Sequence, residues 1–243
     1  MKKLLISGTA LIATVTAASA QQFDLGAISQ ADGATVGYII QMFGLLTVLS
    51  VAPGLLIMVT SFTRFVIAFS ILRAGMGLQS TPANLILISL SLFMTFYVMA
   101  PTFDQAWNNG VRPLMNNEIS QQQALERISD PFRDFMAKHV RDKDFDLFAD
   151  LAREQGQTIS RENVDLRVLV PAFMISEIRR GFEIGFLIVL PFLVIDLIVA
   201  TITMAMGMMM LPPTVVSLPF KLLFFVLIDG WNLLVGSLVR SFS

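Results

Sequence analysis

The stretch GFEIGFLIVLPFLVIDLIVATITMAMGMMMLPP, Gly181 to Pro213, decides the fold. A helix rising about 1.5 Å per residue needs about 20 apolar residues to cross a bilayer, and this run is longer. It is not plain lipid-facing filler. Glu183 and Asp196 sit inside it, and Pro191 interrupts it. It ends in five methionines within seven positions: Met204, Met206, Met208, Met209 and Met210. Pro212 and Pro213 then stop it, because proline supplies no helical N–H. A carboxylate in an apolar span is costly and faces protein or water rather than lipid. The helix is therefore expected to pack against partners, with its methionine end presented to one of them.

The composition widens this reading to the whole chain. Of 243 residues, 55% are hydrophobic and 14% charged, against about 25% charged in globular domains. A membrane protein with one small polar domain is expected. The net charge of −1 gives no electrostatic case for nucleic acid. Without cysteine there is no disulfide or thiolate chemistry, and with His139 as the only histidine a zinc site is not expected. His139 itself reads as a solvated surface residue in a charged helix. No HExxH, GxSxG, Walker loop or strand-borne GxGxxG is present, so an enzyme has no positive support and no cofactor is expected.

Outward from the central stretch, residues 1–20 read as a signal peptide. Lys2 and Lys3 precede an apolar run too short to span, closed by Ala18-Ser19-Ala20, with cleavage between Ala20 and Gln21. An uncleaved first helix is the other reading. Residues 21–35 form a polar periplasmic leader. Hydrophobic segments are expected over about 36–59, 84–100, 181–211 and 214–239. Each is too long for a strand, so the fold class is all-α, built of membrane-associated helical hairpins. Residues 36–100 make a first helical pair. Its basic loop, with Arg64 and Arg73, is cytoplasmic by the positive-inside rule, and Thr81-Pro82 restarts a helix as cap and first residue. Residues 168–243 make a second pair. Arg64 and Lys221 read as cytoplasmic-side anchors.

Residues 101–167 carry 21 of the 35 charged residues and form a small periplasmic helical domain. Ser120 and Gln123 spell a capping box. Leu125, Ile128, Phe132 and Phe135 repeat at three and four residues, as do Phe145, Phe148, Leu151 and Ala152. Asp130-Pro131 could start a new helix inside the first run. These faces serve a local core or another subunit, with Phe135 and Phe148 as interface anchors. Glu177, Arg179, Arg180 and Glu183 stand at three- and four-residue spacings. They either neutralise one another along a helix face or bridge to neighbours. Glu177 reads as an intersubunit contact or as Arg180's intrahelical partner. Glu183 and Asp196 read as buried polar groups. A different class, an ion-coupled transporter with Asp196 or Glu183 carrying protons, is the alternative, but no internal repeat supports it.

Three long segments, VLVPAFMISEIRRGFEIGF from Val168, PFLVIDLIVATITMAMGMMMLPP from Pro191 and SLPFKLLFFVLIDGWNLLVGSLV from Ser217, resemble the FliP/SctR family of type III secretion export-gate proteins. SFTRFVIAFSILRAGMGLQSTPAN, Ser61 to Asn84, carries the resemblance toward Phe43. It implies a non-enzymatic, pore-forming structural subunit of the flagellar export gate in the inner membrane, within the flagellar basal body. It implies a pentameric helical oligomer with FliR- and FliQ-like subunits. FlhA- and FlhB-like gate proteins, a FliO-like assembly factor and unfolded export substrates are the further partners. The long polar insert and the signal peptide lean toward a flagellar rather than a virulence system. By the same resemblance Met208, Met209 and Met210 form the pore gasket, whereas spacing alone favours methionines filling core gaps. Met204 and Met206 are expected to be packing residues.

Overall fold

The computed structural model describes residues 33–156, 165–208 and 212–242. Ala20, Gln21, Met209 and Met210 lie outside them. Among the described residues the regular elements are all helical: α1 (Gly33–Met58), α2 (Phe62–Gly75), α3 (Asn84–Ala106), α4 (Arg112–Met115), α5 (Gln121–His139), α6 (Asp142–Glu154), α7 (Leu166–Ala205), α8 (Pro213–Leu227) and α9 (Gly230–Arg240). A π-helical turn, Trp107–Val111, joins α3 to α4. The expected all-α class is what forms.

The chain divides into two compact units, residues 1–52 and 53–243. Within the first, the described part of α1 shows its apolar side chains outward: Tyr38, Ile40, Leu45, Leu46 and Leu49 are all more than half exposed.

The second unit is built around α2. The positive charge of Arg64 and Arg73 suggested a cytoplasmic loop; the segment is instead a buried helix. Phe65, Ala68, Phe69, Leu72 and Met76 recur at three and four residues and are almost fully buried, which is the apolar stripe a core-facing helix requires. α2 runs parallel to α7. Arg64 meets Glu177, Ile67 faces Gly181, Ile71 faces Gly185 and Gly75 faces Val189, so both helices advance in the same direction. The glycines set the closeness: a Cβ at Gly185 would fall 2.8 Å from Ile71 Cδ1. Small residues four apart let helix backbones approach in this way.

α7 corrects the expected third segment at both ends. It begins at Leu166, where Asp165 accepts the Arg167 N–H at 2.9 Å as N-cap. Pro171 and Pro191 lie inside without ending it. Forty residues rise about 60 Å, twice the hydrocarbon thickness of a bilayer. It stops at Ala205, within the methionine run, after Met204. Gly207 adopts φ +74°, its N–H bonds Met204 O at 3.0 Å and the Met208 N–H bonds Thr203 O at 3.1 Å. That pair of bonds is the Schellman ending, which a glycine in the left-handed region permits.

Other boundaries also move. α3 starts at Asn84 after Ala83, not at Pro82. It continues past Pro101, because Leu87, Ser91, Thr95, Met99, Thr102 and Ala106 make one unbroken buried stripe. The expected domain edges at 100/101 and 167/168 therefore both fall inside helices. α5 passes through Asp130-Pro131 unbroken, and Leu125 points outward rather than joining the core face. The fourth apolar segment is not one helix. α8 and α9 bend by 64° at Ile228–Asp229, where Asp229 takes φ 51°. The helix 166–205, residues 37–58 and residues 84–115 are each long and apolar enough to cross a membrane.

Candidate functional site

Two regions carry the residues singled out above: the turn after α7, and the buried charges along the α2–α7 crossing. At the turn, the Schellman ending throws Met206 and Met208 clear of the helix axis. Met204 and Met206, expected as packing residues, are 57% and 67% exposed. Met208 is 37% exposed. An apolar groove of 390 Å³ opens beside them, lined by Ile195, Ile198, Ile202, Met206, Met208 and Phe220. Thioether chains are flexible and unbranched, so such a surface can re-pack against different partners.

The crossing is charged at both ends. At one end Arg64 and Glu177 are fully buried. Arg64 Nε donates to Glu177 Oε2 at 2.8 Å, and Nη2 donates to Oε1. Arg64 Nη1 donates to Ser241 O at 3.0 Å and Ser241 Oγ at 2.7 Å. Such a bidentate pair gives geometry as well as energy. Glu177, expected at a subunit interface or paired with Arg180, is thus an internal partner of Arg64. The Arg180 side chain is half-buried, and its Nε is buried with no hydrogen-bond partner.

At the other end Lys221 Nζ, on α8, donates to Asp196 Oδ2 at 2.6 Å and to Gly75 O at 3.0 Å. Gly75 is the last residue of α2, so an ammonium there also meets the negative end of the helix dipole. Ser217 Oγ donates to Asp196 Oδ1. Arg64 and Lys221 are therefore internal cations, not surface anchors. Asp196 is buried as expected in part, with its partners inside the chain. Glu183 is not buried: it is half exposed and pairs with Arg179 Nε at 2.8 Å.

The polar helices dock on α7 through Phe145, Ala149 and Ala152 against Val168, Leu169 and Phe173. The Arg141 N–H donates to Ser176 Oγ at 3.1 Å, and that oxygen lies 2.8 Å from Asp144 Oδ2. The Ser120 capping box forms: its Oγ accepts the Gln123 N–H at 3.3 Å, and its own N–H reaches Gln123 Oε1 at 3.1 Å. Phe135 packs edge-on to Phe173, with ring centroids 5.8 Å apart, and Phe148 is half-buried over the same cluster. His139 is not solvated. It is buried with Nδ1 2.7 Å from Phe135 O and Nε2 3.3 Å from Phe242 O. Burial, with Arg64 and Lys138 adding to it, holds its pKa below the usual histidine value although both carbonyls pull the other way.

Among the described residues no group of three or more histidine, cysteine or carboxylate side chains is placed to hold a metal. The FliP family model matches residues 45–238. The chain is 69% identical to the flagellar biosynthetic protein FliP of Agrobacterium fabrum over 245 aligned positions, covering 100% of both chains. It is 70% identical to that of Rhizobium meliloti over 235 positions, 96% of each. It is 49% identical to that of Bacillus subtilis over 214 positions, 88% of this chain and 96% of the relative.

Proposed function

The chain belongs to the FliP family, and from that premise we propose that it is a pore-forming structural subunit of the flagellar protein export gate. The observation that carries this reading is the turn after α7, where Met206 and Met208 stand exposed beside an apolar groove. A ring of such turns closes around nothing or around a passing extended chain, and an apolar constriction resists ions by dewetting. Met208, Met209 and Met210 are the gasket.

The rest follows from exposed surface. Phe182, Phe186, Leu187, Leu193, Val194 and Leu197 all face outward on α7, which is apolar area that lipid or other subunits must cover. The helix is about twice as long as a bilayer is thick, so part of this face is covered by protein. Five copies of the chain with FliR- and FliQ-like subunits supply that cover. FlhA- and FlhB-like proteins complete the gate, a FliO-like factor assists assembly, and unfolded flagellar subunits are the cargo. The location is the inner membrane within the basal body, with residues 101–167 on the periplasmic side, packing through Phe135 and Phe148 against neighbours, as Arg180 of α7 does. The role is structural, not enzymatic. Asp196 has both oxygens engaged by Lys221 and Ser217, which supports packing over proton carriage.

The mass of the detergent-extracted complex tests the assembly. Five copies with partner subunits are expected; a functional monomer would end the reading. Asp196→Asn separates the transporter reading: a packing residue loses assembly, whereas a proton carrier keeps assembly and loses pH-dependent coupling.

A further inference from the structure

The methionine turn is carried on a hairpin whose two arms, α7 and α8, are tied at one level. Asp196 on α7 accepts the Lys221 ammonium at Oδ2, 2.6 Å away, and the Ser217 hydroxyl at Oδ1. Among the described residues these are the hydrogen bonds that join the two arms. Asp196 stands nine residues before the last residue of α7, about 14 Å along the axis at 1.5 Å per residue. Away from the turn the arms are closed by apolar contact: the Phe192 ring meets those of Phe224 and Phe225, with centroids 6.1 Å apart in each case. Toward the turn they are not. There Ile198 and Ile202 on α7 and Val216 and Phe220 on α8 line the open groove of 390 Å³ that runs to Met206 and Met208.

The same ammonium reaches past the hairpin. Lys221 Nζ also donates to Gly75 O, the carbonyl that ends α2, at 3.0 Å. The Lys221 side chain is 3% exposed and that of Asp196 26%, so water competes little at the lysine. Lys221 thus joins three helices at a point: α8 through its own backbone, α7 through Asp196 and α2 through Gly75. Hydrogen bonds from an ionised donor are short and strong. An apolar side chain of the same length would fill the space at 221 but would fix neither distance nor direction. Beyond this point the groove leaves the arms without interlocking side chains, so their spacing at the turn depends on the tie.

We propose that Lys221 is a positioning residue for the seal: through Asp196 and Gly75 it sets the spacing of the arms and holds the hairpin against α2, so that the methionine turn stands at a fixed place in the resting opening. The inference rests on the gasket reading and says what keeps the gasket in place. Without the tie the arms shift about the groove, and a ring of such turns no longer meets.

Resting ionic conductance of membranes holding the assembled gate reads the seal. Changing Met208, Met209 and Met210 to alanine tests the gasket itself; if that variant stays closed, the gasket reading falls and this inference with it. Given a leak there, Lys221→Met is expected to assemble and to leak toward the same level. An assembled Lys221→Met gate that stays closed overturns the inference and leaves the gasket standing. Asp196→Leu together with Lys221→Met separates positioning from packing. Removing both members of a buried pair is often neutral for stability, so a lysine that only packs gives a closed double variant, whereas a positioning lysine gives a stable one that still leaks. A closed double variant overturns the inference. Where a variant fails to assemble, the arms are measured in the full chain in detergent. The chain has no cysteine, so Ile202→Cys on α7 and Val215→Cys on α8, both exposed positions, take spin labels cleanly. The distance distribution between them is expected to be narrow with Lys221 and broad with Lys221→Met. An equally narrow distribution in both overturns the proposal.

Discussion

A long apolar helix without a single charge and the most deeply buried helix of this chain are different things. α1 has 26 residues and no charge, yet the side chains of its described part point outward. α2 has 14 residues and two arginines, yet its apolar face is almost fully buried and one arginine is wholly inside. The difference teaches that in a membrane-associated subunit apolar character marks surface meant for lipid or neighbours. The chain's own fold is specified by close glycine contacts and by charges that find a single partner.

The comparison breaks first at Arg64. Arg64→Ala leaves Glu177 as an unpaired buried charge, and a loss of about 3–5 kcal/mol is expected, read as the drop in folded yield and denaturation midpoint in detergent. Replacing both partners with methionine recovers most of it, since a buried pair is often neutral against apolar residues of similar size. If the double variant is as unstable as Arg64→Ala, the pair does more than satisfy itself. A smaller cost falls on Lys221→Met, which removes one partner of Asp196 and the cation at the end of α2. Asp196 keeps Ser217 and some solvent, so about 1–3 kcal/mol is expected from thermal unfolding. Gly185→Ala overpacks the crossing against Ile71 and costs about 1–3 kcal/mol; Ile71→Ala in the same chain restores part of it. Ser120→Ala removes a helix cap and costs about 1 kcal/mol. Leu49→Ser, on α1, stays within about 0.5 kcal/mol for the isolated chain, because the Leu49 side chain is 67% exposed.

Local signals in the sequence carry much of this. The capping box at Ser120, the all-helical class and most of the two amphipathic faces, one packed chiefly on α3 and the π-helical turn and the other on α7, are read from spacings of three and four residues. What escapes such reading is distant in sequence. Glu177 lies 113 positions from Arg64, and Phe242 lies 103 from His139. Charge alone therefore made Arg64 look like a loop residue and His139 a surface one. The early end of α7 had a local signal, Gly207, which the conspicuous prolines at Pro212 and Pro213 overshadowed. The break at Ile228–Asp229 had a weaker one: Asp229-Gly230 is a turn-forming pair inside an otherwise apolar run. The closeness of α2 and α7 was also visible in principle, as Gly181 and Gly185 four residues apart beside Gly75.

The central claim is that buried charges fix the fold so that the methionine turn is free to seal a shared opening. Ionic conductance of membranes holding the assembled gate measures it most directly. With Met208, Met209 and Met210 all changed to alanine, the account predicts an assembled complex that leaks ions at rest while the parent stays closed. An assembled variant with the parent's conductance would contradict it.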